Sequence, residues 1–113
     1  TTYRPCCDNS TFFQDCNHGS ALLGLLELGA SQGLSKDELY LEALAFNSFW
    51  FTDYYTQTAL YFELYENTKW RDVDPKRALG WDYSTSSGWR ANVAAPLSSI
   101  PDLIPGGGSG VNC

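Results

Sequence analysis

The chain contains no methionine, a single histidine and only seven basic residues among its 113 amino acids. Thirteen acidic residues give a net charge of −6, and an acidic surface repels phosphate backbones, so nucleic acid is not expected as a partner. No apolar run reaches the roughly 20 residues that a membrane-spanning helix needs, so no membrane span is predicted. Because the chain starts at Thr1 without methionine, we expect signal-peptide removal and a secreted, periplasmic or cell-surface location.

Catalytic motifs are also missing from the sequence. There is no G-x-S-x-G nucleophile elbow and no phosphate-binding loop. No nucleophilic serine is placed to work with the lone histidine, His18. Glu27, Asp53 and Glu63 have no spacing that singles out a pair of catalytic carboxylates. The sequence therefore predicts a protein that is not an independent enzyme.

The reactive side chains are concentrated at the start of the chain. Cys6, Cys7 and Cys16 lie there together with His18, whereas Cys113 is the last residue. Four cysteines in a short chain are typical of an oxidising compartment, and they allow three pairings. A bond between the adjacent cysteines would be strained, so the preferred hypothesis pairs one with Cys16 and the other with Cys113.

A metal site is the alternative interpretation of the same residues. Cys6, Cys7, Cys16 and His18 are four donors of the type that binds copper or zinc. Their C-C-x₈-C-x-H spacing differs from the usual zinc pattern, which begins with a C-x₂₋₄-C pair. The disulfide hypothesis, with no cofactor, is therefore preferred. Asn9 begins an N-S-T glycosylation sequon, which is meaningful only in a glycosylating host.

The composition predicts one all-α domain, 1–113, made of four stretches. Residues 1–19 form a Cys-rich loop, and residues 20–66 form a helical hairpin with helices at about 20–32 and 36–66. Residues 67–104 wrap around the hairpin with short helices. Residues 105–113 form a Gly-rich extended arm. No alternating pattern typical of a β-strand is present.

The hairpin turn has the most specific local pattern in the chain. Gly33 suits the left-handed position that ends a helix. Ser35 is a good N-cap, and Glu38, three residues later, completes a capping box. Leu34 and Leu39 can form the hydrophobic staple around that cap. These residues predict two helices joined by a tight turn.

One family has a similar layout. A cysteine cluster, a helix, and then Gly33-x-Ser35-x-x-Glu38-Leu39 opening a second helix resembles the bacterial periplasmic helical thiol domains of the cytochrome c maturation type. The resemblance covers about residues 6–50 and implies a helical hairpin behind a cysteine cluster. The C-x-x-C redox motif of that family is absent here, so the resemblance does not carry its thiol activity to this chain.

The second predicted helix is aromatic or apolar around about two-thirds of its circumference, whereas a surface helix needs only about 100°. Asn47, Asp53 and Gln57 lie within this apolar arc. We expect Asp53 and Gln57 either to hold the backbone of the N-terminal loop or to contact a ligand, unless the helical wheel misjudges their exposure. We expect the helix to be covered by another protein chain in a homo-oligomer, a surface filament or a larger complex. The predicted contact face comprises Phe46, Trp50, Asp53, Tyr54, Gln57 and Tyr61.

Overall fold

The computed structural model describes residues 2–10 and 17–101, and the side chains of residues 17–19 are excepted. The prediction of an all-α fold is confirmed, because the regular elements of the described residues are helices. The N-terminal segment 2–10 contains one isolated antiparallel bridge, between Tyr3 and Ser10. Its chain direction is reversed within a few residues, which places Cys6 and Cys7 in the bend.

The predicted helical hairpin is present, formed by α1 (Asn17–Ser31) and α2 (Lys36–Trp50). Gly33 has a φ of 85°, in the left-handed region that glycine adopts without strain. Ser35 caps α2 by accepting a hydrogen bond from the Glu38 backbone N–H at 3.2 Å. The Glu38 carboxylate accepts one from the Ser35 N–H at 3.0 Å in return. This reciprocal pair is the predicted capping box.

Close packing at the hairpin explains one of the glycines in α1. A Cβ on Gly29 would lie 2.8 Å from Leu39 Cδ2 and 3.0 Å from Leu34 Cδ1. The two leucines of the predicted staple therefore pack against the bare backbone at Gly29. A Cβ on Gly24 would have no such neighbour within 4 Å, so packing does not explain that glycine.

The long helix predicted from 36 to 66 is interrupted, and this detail of the prediction is wrong. Phe51 has φ −120° and ψ 51°, outside the helical region, and α3 (Thr52–Glu66) begins after it. The Thr52 hydroxyl donates to the carbonyls of Ser48 at 3.1 Å and Phe49 at 3.0 Å, near the helix end. Phe51 at the interruption is fully buried and belongs to the hydrophobic core.

The C-terminal segment returns along α2 and α3 as a series of short helices. Asp74 caps one of them by accepting from the Lys76 N–H at 3.1 Å, as the Asp74-Pro75 pair predicts. The elements are a 3₁₀ turn (Trp70–Asp72), α4 (Pro75–Ala78), α5 (Trp81–Ser84), α6 (Ser86–Trp89), a π-helix (Arg90–Ala94) and α7 (Ala95–Ser98).

The last helical stretch passes through Pro96, although the residue before a proline usually leaves the helical region. The π-helix accounts for this difference. The Ala95 N–H donates to the Arg90 carbonyl, five residues back. The wider π-helical turn therefore lies directly before Pro96, which has no backbone N–H to donate. Leu97 beyond it is almost fully buried, and this burial stabilises the continuation.

The hydrophobic core lies where α2, α3 and the C-terminal helices meet. Tyr83 packs on Phe62 with ring centroids 4.9 Å apart, and Trp89 packs edge-on against Tyr54 at 4.5 Å. The fully or nearly fully buried residues include Leu22, Ala43, Phe51, Phe62, Ala78, Leu79, Val93 and Leu97. Across residues 2–10 and 17–101, no helix is both long enough and apolar enough to cross a bilayer.

Candidate functional site

The side of α2 that faces away from the core is the most unusual surface of the described residues. Its opposite side is buried through Ala43, Leu44 and Asn47. The exposed residues recur at helical spacing and form one stripe, which we call the outer face: Glu38, Leu41, Glu42, Ala45, Phe46 and Phe49. Phe49 is 77% exposed, Leu41 58% and Phe46 37%. The helix is therefore apolar on both sides, and its outer face mixes apolar side chains only with carboxylates.

Phe46 and Trp50 of the predicted contact face lie together at the edge of this stripe. Their ring centroids are 5.5 Å apart, with the planes tilted by 60°. Trp50 is half-buried and packs against the core, so it anchors the more exposed Phe46. Such aromatic pairs are stabilising beyond the area that they bury. The pair gives the end of the outer face a rigid base.

Tyr54 and Tyr61 of the predicted contact face are directed instead toward the C-terminal segment. The Tyr54 carbonyl accepts a hydrogen bond from the Trp89 indole N–H at 3.2 Å. Tyr61 stacks on Tyr65 at 5.3 Å and also contacts Tyr83 at 5.8 Å. Both tyrosines are half-buried. Packing within this chain accounts for much of their aromatic surface.

Asp53 and Gln57 were expected to hold the N-terminal loop or to contact a ligand. Asp53 is exposed and Gln57 is half-buried. The contact with the N-terminal segment is made by Asn47, whose Nδ2 donates to the Tyr3 carbonyl at 2.8 Å. The contact with the N-terminal backbone that was predicted for Asp53 and Gln57 is therefore made by Asn47.

Asn47 begins a chain of hydrogen bonds that joins the N-terminal segment to α2, α3, α4 and α5. Its Nδ2 also donates to the Tyr55 hydroxyl oxygen at 3.2 Å. The Tyr55 hydroxyl is 2.6 Å from Ser84 Oγ, which donates to the Ala78 carbonyl at 2.6 Å. Because the Ser84 proton is used on that carbonyl, Tyr55 is the donor to Ser84. We call Tyr3, Asn47, Tyr55, Ser84 and Ala78 the Asn47 network.

Burial has a large effect on the tyrosine of this network. It raises the pKa of Tyr55 to about 12, although the hydrogen bonds with Ser84 and Asn47 act in the opposite direction. The hydroxyl therefore stays neutral over the physiological range. It serves as a donor and acceptor that fixes the network, and not as an acid or base near pH 7.

The N-terminal segment is also attached directly to the C-terminal helices. Asp8 accepts hydrogen bonds from Ser87, from its backbone N–H at 2.8 Å and from its hydroxyl. These bonds lower the pKa of the Asp8 carboxyl. The Tyr3 N–H donates to the Leu79 carbonyl at 3.0 Å, and the Cys7 carbonyl accepts from the Ser86 N–H at 3.0 Å. The segment is thus clamped at several points along its length.

A second electrostatic contact is an ion pair at the C-terminal end of α3. Arg77 pairs with the Glu66 carboxylate through both terminal nitrogens, and its guanidinium lies 5.2 Å from the centre of the Phe62 ring. The hydrogen bond from Arg77 lowers the pKa of Glu66. Bidentate geometry makes this pair more specific than most surface ion pairs. Its place beside the core indicates a structural role.

The N-terminal cysteines lie in the bend of the clamped segment. Cys6 is disulfide-bonded, and Cys7 carries a free, half-buried thiol. Their sulfur atoms are 3.5 Å apart, far longer than the 2.05 Å of a disulfide bond. The fully buried Arg4 donates from Nη2 to Cys7 Sγ at 3.4 Å. The predicted bond at Cys7 is therefore not formed in this structure.

The remaining members of the cysteine and histidine cluster cannot be placed. Cys16, Cys113 and the side chain of His18 lie outside the described residues, so the partner of Cys6 and the alternative copper or zinc site stay predictions. Within the described ranges, no group of three or more His, Cys, Asp or Glu side chains is arranged to hold a metal ion. Asn9 is exposed on the clamped segment, as glycosylation would require.

Sequence reasoning missed Phe49 as a candidate contact residue, although it is the most exposed large apolar side chain among the described residues. The helical wheel placed it in the apolar arc but gave no means of telling which part of that arc is covered. One signal was present: Glu38, Glu42 and Phe49 share a side of the helix, and glutamates seldom face a core.

Comparison with known proteins gives no match: no family model, no curated protein and no solved structure is significantly similar to this chain. The functional argument therefore depends on the chemistry of its surface.

Proposed function

We propose that this protein is a binding module that acts by burying the outer face of α2 against another protein chain, in an oligomer or a larger complex. The observation that carries the proposal is the exposure of Phe49, Phe46 and Leu41 along one side of a single helix. Isolated exposed apolar residues are ordinary on a protein surface, but contiguous ones mark contact sites. Aromatic residues are enriched in the centres of protein interfaces.

The energetic reason is the cost of leaving these side chains in water. Burying a phenylalanine side chain contributes about 1.5–3 kcal/mol. The opposite side of α2 is held by the core and by the Asn47 network, so the helix presents its outer face on a rigid support. A preorganised surface loses less entropy on binding than a mobile one.

Disulfide bonds and an extracytoplasmic location complete the proposal. The segment around Cys6 and Cys7 is held against the C-terminal helices through Asp8 and Ser87. A disulfide from Cys6 to Cys16 or Cys113 would add a covalent link to these noncovalent contacts. In a small secreted domain, removing such a bond typically costs about 2–5 kcal/mol.

Photocrosslinking from the outer face tests the binding proposal. The photoreactive amino acid p-benzoylphenylalanine replaces Phe49 in one variant and Leu64 in the control, because Leu64 of α3 is 51% exposed but outside the outer face. In cells that naturally make the protein, position 49 is expected to give a discrete adduct that mass spectrometry identifies. Equal or absent crosslinking at the two positions would contradict the proposal.

Intact-mass measurement tests the disulfide part separately. The native protein, alkylated without and then with reductant, is expected to expose additional thiols only after reduction, with Cys6 among them. Four cysteines that alkylate without reductant, together with a bound metal in the native mass recorded before alkylation, would instead support the alternative metal site. His18→Ala would then be expected to abolish binding of that metal.

A further inference from the structure

We infer that the partner of the outer face is a cationic amphipathic helix from a different protein, and not a second copy of this chain. This inference rests on the proposed function and specifies its partner class. The observation behind it is the charge of the surface that the partner would meet.

The outer face combines an apolar stripe with acidic side chains and has no cation of its own. Its six residues run from Glu38 to Phe49, about 16 Å along the helix axis, or three turns. Leu41, Ala45 and Phe49 follow one another at spacings of four residues, and Glu42 lies one turn before Phe46. A helix of about three turns could lay an apolar side along this stripe.

The surroundings of the stripe are acidic as well. Lys36, at the first position of α2, is the one basic residue in the sequences of α2 and α3, which together contain six acidic residues. Two of those six are already paired, Asp37 with Lys76 at 3.2 Å and Glu66 with Arg77. Glu42 lies within the stripe, and the exposed Asp53 at the start of α3, four residues beyond Phe49 in sequence, adds a further carboxylate.

A second copy would bring the same carboxylates to this surface. In a symmetric contact the glutamates of one outer face would find no cation in the other outer face, and like charges placed together cost several kcal/mol in an interface. Lysine or arginine residues beside an apolar stripe would complement the surface. Their long aliphatic stems can also pack on the exposed rings.

The test uses the intact protein and synthetic peptides. An 18-residue helical peptide of leucine and lysine is labelled at one end, and its fluorescence anisotropy is followed during titration. A peptide with glutamine in place of every lysine has the same apolar stripe without the charge. We expect the lysine peptide to bind at least about tenfold more tightly, with an advantage that decreases as salt is raised.

Two variant pairs locate the binding site. Phe49→Ser is expected to weaken binding of the lysine peptide at least about tenfold, whereas Leu64→Ser leaves it unchanged. Glu42→Gln is expected to reduce both affinity and salt dependence, whereas Glu63→Gln, which removes the same charge from an exposed position of α3, has a smaller effect. Unchanged circular dichroism confirms that the exposed substitutions leave the fold intact.

The possible failures are distinguishable. Equal binding of the lysine and glutamine peptides would overturn the inference on charge while the outer face remained a docking site. Concentration-dependent self-association that Phe49→Ser abolishes, without peptide binding, would make a second copy the partner and overturn the inference alone. Peptide binding that Phe49→Ser and Leu64→Ser leave equally intact would overturn both the inference and the outer face as the site.

Discussion

Removing the hydroxyl of Tyr55 tests whether the Asn47 network holds the fold together. Tyr55→Phe keeps the ring and its packing, but it deletes the bonds to Asn47 Nδ2 at 3.2 Å and Ser84 Oγ at 2.6 Å. A typical hydrogen bond contributes about 1 kcal/mol net, and a buried donor left unpaired costs about 1–3 kcal/mol. One N–H of Asn47 would lose its acceptor, so we expect a loss of about 2 kcal/mol.

The expected loss is measurable by urea unfolding followed by tryptophan fluorescence. For a chain of this length, about 2 kcal/mol corresponds to a Tm lower by about 8 °C. Tyr65→Phe is the matched control, because the Tyr65 hydroxyl donates to the Pro96 carbonyl at 3.0 Å from a side chain that is 48% exposed. Its expected change is within about 0.5 kcal/mol. Equal losses in the two variants, with unchanged m-values, would refute the reasoning.

The same substitution has a signature at alkaline pH. The pKa of Tyr55 is raised to about 12 in the folded protein, whereas an unfolded tyrosine titrates near 10. Between these values the unfolded chain releases a proton that the native chain retains. Stability conferred by Tyr55 is therefore complete below pH 10 and falls by up to about 1.4 kcal/mol per pH unit above it. Tyr55→Phe should flatten the pH dependence of the unfolding free energy above pH 10.

The remaining predictions concern contacts of the C-terminal helices. A Cβ on Gly88 would lie 2.0 Å from the Trp81 carbonyl oxygen. Gly88→Ala should therefore lower the free energy of unfolding in urea by at least about 3 kcal/mol. Gly24→Ala is the control, because its Cβ would lie in open space, and it should not lower this free energy. Asp8→Asn should lower Tm at pH 7, because the Asp8 carboxylate has a lowered pKa in the fold. That difference should shrink as pH falls through the folded-state pKa, and a pH-independent difference would contradict the role of the charge.

The parts of the fold that the sequence predicts are those determined by local chemistry. Gly33, Ser35 and Glu38 specify the hairpin turn through backbone conformation and capping, and these depend on residues within one turn. The Asp74-Pro75 start of α4 was predictable for the same reason. Each pattern places a specific donor, acceptor or φ value at one position.

The break at Phe51 could not be predicted, because its cause is tertiary. Nothing in the residues around Phe51 resembles a helix stop, and the benefit comes from burying its ring in the hydrophobic core. Passage of the last helix through Pro96 has a similar origin in the burial of Leu97. Local propensity is overridden at both places by packing that the sequence alone does not display.

Only part of the candidate site could be predicted from the sequence. The aromatic excess of the second predicted helix indicated a contact surface, and Phe46 and Trp50 do lie beside the outer face. Tyr54 and Tyr61 belong to the same aromatic arc but pack against Trp89, Tyr65 and Tyr83 of the same chain. A helical wheel cannot distinguish these cases, because covering depends on where the C-terminal helices pass.

The most direct measurement of the central claim follows Trp50 by ¹⁹F NMR in protein labelled with 5-fluorotryptophan. Trp81 is the internal control: it is 47% exposed, but it contacts Tyr3, on the side of α2 where Asn47 is buried. If the outer face binds a protein chain of the proposed kind, adding the lysine peptide should shift or broaden the Trp50 resonance and leave Trp81 unchanged. A Trp50 resonance that stays constant when the peptide is added, or that moves only together with Trp81, would contradict the account.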